Sequence, residues 1–169
     1  MKFDLRSQLY RIYGVDLTAI PGINALTAHV LFAEIAPNAS RFANAFAFVS
    51  WLGLRPDNRI SGGKILSVRT RAVKSRAAAA LRMAAQSLHA SQSYLGSHYR
   101  RMRTRLGAPK AITAAAHKLA RVVYHLLTTG QSYQESVFTL CETLHQRRAE
   151  ARLRRQAREL GFELLKVPS

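Results

Sequence analysis

Three features of the sequence predict an all-α fold. Helix-forming residues dominate, apolar residues recur at three- and four-residue intervals, and outside a short Gly-rich stretch after Trp51 no run alternates apolar and polar residues as a half-buried strand would. The 169 residues suffice for one domain with a real core, or for a compact domain carrying one extended arm. The expected arrangement is a compact helical domain over residues 1–130 and a charged, protruding helical arm over 131–169.

Each element follows in order. Phe3, Leu5, Leu9, Ile12 and Tyr13 have helical spacing, and Gly14 supplies a stop that other residues would find strained. Leu17, Ile20, Pro21, Gly22, Ile23 and Asn24 then lead into an apolar run from Ala25 to Ile35. This is the pattern of a helix-hairpin-helix over about 15–36, in which Gly22 and Asn24 would let backbone N–H groups face a DNA phosphate. Asn24 stands where a second Gly is common, and Asn tolerates left-handed backbone angles; the same residues can equally form a purely structural turn.

Pro37 and Asn38 break the chain, Ser40 can cap a new helix, and Phe42, Phe46, Val49 and Leu52 recur as its core face. Residues 53–70 lose helical periodicity and contain Pro56, Gly62 and Gly63, which predicts a Gly-rich basic loop or a small hairpin. From Ala72 onward, Val73, Ala77, Ala80, Leu81, Ala84 and Leu88 fall in one buried arc rich in Ala, which lets neighbouring helices come close. Ser91–Leu106 is read as continuing helix, ending in Arg100, Arg101, Arg103 and Arg105 before Gly107 and Pro109. Over Lys110–Thr129, Ile112, Ala115, Leu119, Val122, Val123 and Leu126 share one side, and Lys110, His117, Lys118, Arg121 and His125 the other. That basic face is either simply solvated or a phosphate contact. After Gly130 the charges mix and apolar content beyond Leu144 is thin, as in a projecting helix, with Val167–Ser169 frayed.

Twenty-six Lys and Arg against nine Asp and Glu give a formal charge of +17. Such a chain would self-repel without a polyanionic companion, and nucleic acid is the first candidate. Between Asp57 and Glu135 no acidic residue occurs while 14 Lys and Arg do, so this stretch is the expected anion-facing part. A membrane surface could attract it too, but the apolar run from Phe42 to Leu54 is shorter than the roughly 20 residues of a spanning helix. The lone Cys141 and the absence of a signal-peptide pattern fit a reducing cytoplasm. Cys141 and His145 lie one helical turn apart, but two ligands alone make a weak metal site.

The constellation suited to chemistry is Arg59-Ile60-Ser61-Gly62-Gly63-Lys64, with Arg69 and Arg71 close behind. Glycines let a phosphodiester approach the backbone, and cations offset charge that builds on phosphoryl oxygens during in-line displacement. Ser61 could attack phosphorus, yet a free serine needs a base or metal to take its proton, and the scattered carboxylates offer no obvious supplier. The glycines could instead simply form a turn. The spacing G-x-x-x-x-G-K-S/T of a nucleotide-triphosphate loop is absent.

Four segments in order, Gly14-Val15-Asp16-Leu17-Thr18-Ala19-Ile20-Pro21-Gly22, Trp51-Leu52-Gly53-Leu54, Asn58 through Lys64, and Gly107-Ala108-Pro109-Lys110-Ala111-Ile112, resemble the IS110-type insertion-sequence transposases. The similarity runs from about Phe3 to Leu127 and more loosely beyond. The resemblance implies a protein with an N-terminal RuvC-like domain bearing four metal-binding acidic residues, a coiled-coil connection, and a C-terminal helical domain with a nucleophilic serine, matched here by Ser61. It further implies a covalent phosphoserine intermediate, a guide (bridge) RNA, and active sites assembled from different protomers. Arg59, Lys64 and Arg69 would hold phosphate. The chain begins with Met1 just before the serine-bearing domain and carries no acidic half, so it is expected to bind DNA or RNA without recombining DNA, and to bind no cofactor itself, Mg²⁺ entering only through the missing RuvC-like domain. Three functions stay open: a transposase domain completed by a metal-bearing partner, a non-catalytic binding module, and an assembly domain acting through the C-terminal arm.

Overall fold

The computed structural model describes residues 4–57, 59–67 and 69–165. Asn58 and Val68 lie outside the described residues, as do Val167–Ser169, on which the expectation of fraying falls. The architecture is all-α: helices α1 (Leu5–Tyr13), α2 (Ala25–Ile35), α3 (Ala45–Trp51), α4 (Arg76–Ser87), α5 (Tyr94–Leu106), α6 (Ala108–Thr129) and α7 (Ser136–Glu159), interrupted by one small antiparallel hairpin of β1 (Arg59–Ser61) and β2 (Lys64–Ser67). The chain divides into two compact units, Met1–Tyr133 and Gln134–Ser169.

In the first unit, side-chain caps set where helices start. Asp4 accepts from the Ser7 backbone N–H and opens α1, which Gly14 closes in a left-handed conformation with its N–H on the Tyr10 carbonyl. Asp16 caps the short 3-10 turn Leu17–Ala19 through Thr18 and also takes Arg6 of α1, so one carboxylate ties the two elements together. Asn24 departs from the left-handed expectation, because no described residue other than Gly has positive φ. Its side chain accepts from the Thr27 N–H at 2.8 Å and caps α2 instead.

Four further expectations are corrected. Asn44 rather than Ser40 caps α3, accepting from Ala47 N–H at 2.9 Å; Ser40 falls in the 3-10 turn Ala36–Arg41. Phe48, Val49 and Leu52 are buried, but Phe46, expected in the core, is exposed. The helix expected from Ala72 starts at Arg76, because Ser75 has extended backbone and its Oγ accepts from Ala78 N–H; Val73 lies before it and packs near Gly53. Nor does helix run on through Ser91. The chain turns through Leu88–Ala90 and restarts at Tyr94, with Ser93 Oγ accepting from Gly96 N–H. A Cβ at Gly96 would lie 2.1 Å from the Ser91 carbonyl oxygen, so only Gly lets α5 begin this close to the preceding turn.

The core gathers around α6, which packs against α3, α4 and α5, while α2 packs on α4 and α1 on α2. Leu17, Ile20, Leu31, Phe32, Ile35, Phe48, Leu81, Leu88, Leu95 and Leu119 are fully buried. Each such side chain contributes about 1.5–3 kcal/mol by leaving water. Buried Ala77, Ala78, Ala84 and Ala85 of α4 and Ala111, Ala115, Ala116 and Ala120 of α6 give both helices small-residue faces. Glu34 of α2 clamps the start of α4, accepting from Ala77 N–H and from Arg76 Nε, each at 2.7 Å. The second unit is α7 and the chain after it; Arg154 pairs with Glu150 at 2.8 Å one turn away.

Candidate nucleic-acid interface

The serine segment forms a two-residue hairpin. Ser61 and Lys64 are paired across the strands, and Gly62 and Gly63 between them have φ of 55° and 75°, the pair of positive angles that a type I′ turn demands. A Cβ at either glycine would meet nothing within 4 Å, so it is backbone conformation, not crowding, that requires glycine here. Ser61, Gly62, Gly63 and Lys64 are all exposed. The register slips between Arg59 and Ile60, and farther down Pro56 bridges Thr70 while Asp57 N–H donates to the Arg69 carbonyl at 2.9 Å. Arg69 and Arg71 are exposed beyond the hairpin; the Arg59 side chain lies outside the described residues. The hydroxyl therefore stands at an open tip opposite an ammonium group, a position a phosphodiester can reach.

Gly22 and Asn24 lie elsewhere, where the turn after the 3-10 helix meets the end of α4. Gly22 has φ 88°, and a Cβ there would fall 2.6 Å from the Ala84 carbonyl oxygen and 3.2 Å from Leu88 Cδ2 and Ser87 Oγ. Close packing on α4 thus accounts for this glycine by itself. With Asn24 capping Thr27, one of the N–H groups at the start of α2 is already occupied.

The basic residues of α6 are arranged by aromatic neighbours. The Lys118 ammonium lies 5.7 Å from the Tyr94 ring centroid of α5, and the Arg121 guanidinium 5.0 Å from the Phe46 ring of α3. On the same helix His117 is half-buried, and its Nε2 has no hydrogen-bond partner. Burial, then the charges of Arg121, Arg55 and Lys118, hold its pKa below the usual 6.5. Arg55, next to the outer bridge of the hairpin, therefore shares an electrostatic neighbourhood with α6. Lys110 is exposed in the first turn of α6. Of the α5 arginines, Arg100 is committed to the backbone, donating to the carbonyls of Ser91 at 2.6 Å and His89 at 3.2 Å.

Sequence reasoning missed Arg55 and the rings under Lys118 and Arg121. These neighbours come from separate helices, and no local spacing announces them. The side chains of Cys141 and His145 lie outside the described residues. Among the described residues no group of three or more His, Cys, Asp or Glu comes together. No described helix is long and apolar enough to cross a membrane.

Comparison with known proteins gives the same direction. The profile of the Transposase IS116/IS110/IS902 family matches residues 16–100, which contain the capped turn, α2 to α4 and the serine hairpin. A Sinorhizobium fredii protein named "Putative transposase y4pF/y4sB" is 32% identical over 149 residues, covering 78% of this chain and 37% of that relative. The chain thus spans little more than a third of the length of the relative it matches. By the extent of the matched region, the chain belongs to the IS116/IS110/IS902 family of transposases.

Proposed function

We propose that this chain is the serine-bearing DNA-handling part of its transposase, in which Ser61 is the nucleophile for strand transfer. The observation that carries the reading is the position of Ser61, exposed at a Gly-Gly hairpin tip and paired in register with Lys64. In the proposed step, Ser61 Oγ bonds to a DNA phosphorus and the bond from phosphorus to the leaving deoxyribose oxygen breaks, while the hydroxyl proton passes to an acceptor outside this chain. Lys64, with Arg59, Arg69 and Arg71, offsets charge on the phosphoryl oxygens. Lys110, Lys118 and Arg121 of α6 hold flanking phosphates, in a sequence region free of carboxylates. The acids that would bind Mg²⁺ belong to a RuvC-like half, and the working assembly contains DNA, a guide RNA and further protomers.

The test is complementation with a full-length relative carrying its own serine mutation. The chain should restore strand exchange, and Ser61→Ala should abolish it while leaving nucleic-acid binding within about tenfold, since one hydroxyl adds only about 1 kcal/mol to ground-state contacts. The competing reading is a binding module without catalysis, which holds nucleic acid through its basic surface alone. It requires Ser61→Ala to be silent in both measurements.

A further inference from the structure

Helix α3 leaves two large rings outside the core: Phe46 is 51% exposed and Trp51 43%. Trp51 is held by other rings. Trp51 lies 5.3 Å from the Phe42 ring and 6.2 Å from Phe48, and Phe48 stacks at 5.3 Å on Tyr124. The Tyr124 hydroxyl donates to the Phe42 carbonyl at 2.8 Å, fixing the base of this cluster to α6. Phe46 carries the Arg121 guanidinium at 5.0 Å, and Arg121, Arg55 and Lys118 all lie close enough to His117 for their charges to act on it. A ring held by its neighbours, as Trp51 is, loses little freedom when something flat settles on it.

The charge of the surroundings selects the occupant. An apolar patch among carboxylates and cations alike would suit a protein, but the cations here come from a stretch with no acidic residue between Asp57 and Glu135. The complementary partner is a polyanion that also presents flat apolar faces. Duplex DNA supplies the charge but hides its base faces in its own stack, whereas an unpaired strand offers both.

We propose that Phe46 and Trp51 form a stacking platform for unpaired bases, with Arg121 and Lys118 holding phosphates of the same strand. This deepens the nucleic-acid reading above and rests on it. The site takes single-stranded nucleic acid of either sugar, because it reads base faces and phosphate charge and not the 2′ position.

Trp51 is the single tryptophan, so its emission reports the platform directly. The whole chain is titrated with an unpaired oligonucleotide, as DNA and as RNA, with a same-length strand of abasic sites, and with a duplex. Base-bearing strands should quench Trp51 emission, whereas the abasic strand should bind about tenfold more weakly without quenching. Phe46→Leu should weaken the base-bearing strand about tenfold and the abasic strand by less than about twofold, with an unchanged helical circular dichroism spectrum. Saturable binding that leaves Trp51 emission unchanged, or equal affinity for abasic and base-bearing strands, overturns the platform alone. Failure of every polymer to bind overturns the nucleic-acid reading as well.

Discussion

Replacing Gly22 by Ala tests how the motif around Pro21 is built into the fold. The substitution meets two penalties. Holding an L-residue at φ 88° costs about 1–2 kcal/mol, the cost of left-handed backbone. The new Cβ would also sit 2.6 Å from the Ala84 carbonyl oxygen, a backbone atom that cannot swing aside, so the turn and α4 must separate. Overpacking of that kind adds about 1–3 kcal/mol. The narrower unfolded ensemble of Ala returns about 0.4–1 kcal/mol, leaving a net loss of about 1–4.5 kcal/mol, larger than the backbone penalty alone. Gly14→Ala is the control: its φ is 68°, but nothing lies within 4 Å of its added Cβ, so it meets only the backbone penalty and should lose about 1 kcal/mol. Urea unfolding followed by circular dichroism measures both. Equal losses would refute the packing argument. If Gly22 serves α4 alone, the variant, where still folded, should bind DNA within about threefold of the parent; a much larger loss would show that the turn reads phosphate.

The remaining predictions concern charge. Burial tends to raise the Glu34 pKa, but the hydrogen bonds from Arg76 and Ala77 and the Arg76 charge together hold it below 4.5. The folded value being the lower, this contribution is complete above about 4.5 and is lost as pH falls through the folded pKa. Glu34→Gln should lower stability by about 1 kcal/mol at pH 7 and flatten the acid limb of the stability profile. His117, held below 6.5 by burial and by Arg121, Arg55 and Lys118, takes up its proton less readily folded than unfolded, so its contribution is full above 6.5 and is lost as pH falls below that value toward the folded pKa. An NMR titration should place its midpoint below 6.5 and move it upward on adding saturating oligonucleotide, because phosphate offsets the neighbouring cations; a downward move would contradict the proposed surface. Lys118→Ala should reduce the slope of log affinity against log salt by about one, with little change in sequence preference.

The parts of the fold written in local spacing were legible. The Ala25–Ile35 run became α2 with those bounds, Gly14 and Gly130 ended helices in left-handed conformation, and the stretch expected as loop or small hairpin between Gly53 and Thr70 formed a hairpin. Errors arose where several residues could cap. Ser40 and Asn44 both have suitable side chains, and local spacing does not choose between them; the chain runs on through the 3-10 turn Ala36–Arg41 and Asn44 caps α3. The break at Leu88–Ala90 was hidden because Ser91 and Ser93 sit among residues that tolerate helix, while the steric demand at Gly96 comes from the turn itself. The Gly62-Gly63 turn was readable because it is local. The convergence of Arg55, Arg121 and Lys118 on His117 was not, since it depends on α6 packing against other helices.

Covalent capture at the hairpin reaches the central claim most directly. The chain, DNA, guide RNA, Mg²⁺ and the acidic half of a full-length relative are combined, quenched during exchange, digested and read by peptide mass spectrometry. A nucleotide adduct should appear on Ser61, only when the acidic half is present, and vanish in Ser61→Ala. Strand exchange that persists in Ser61→Ala, or an adduct on another residue, would contradict the account.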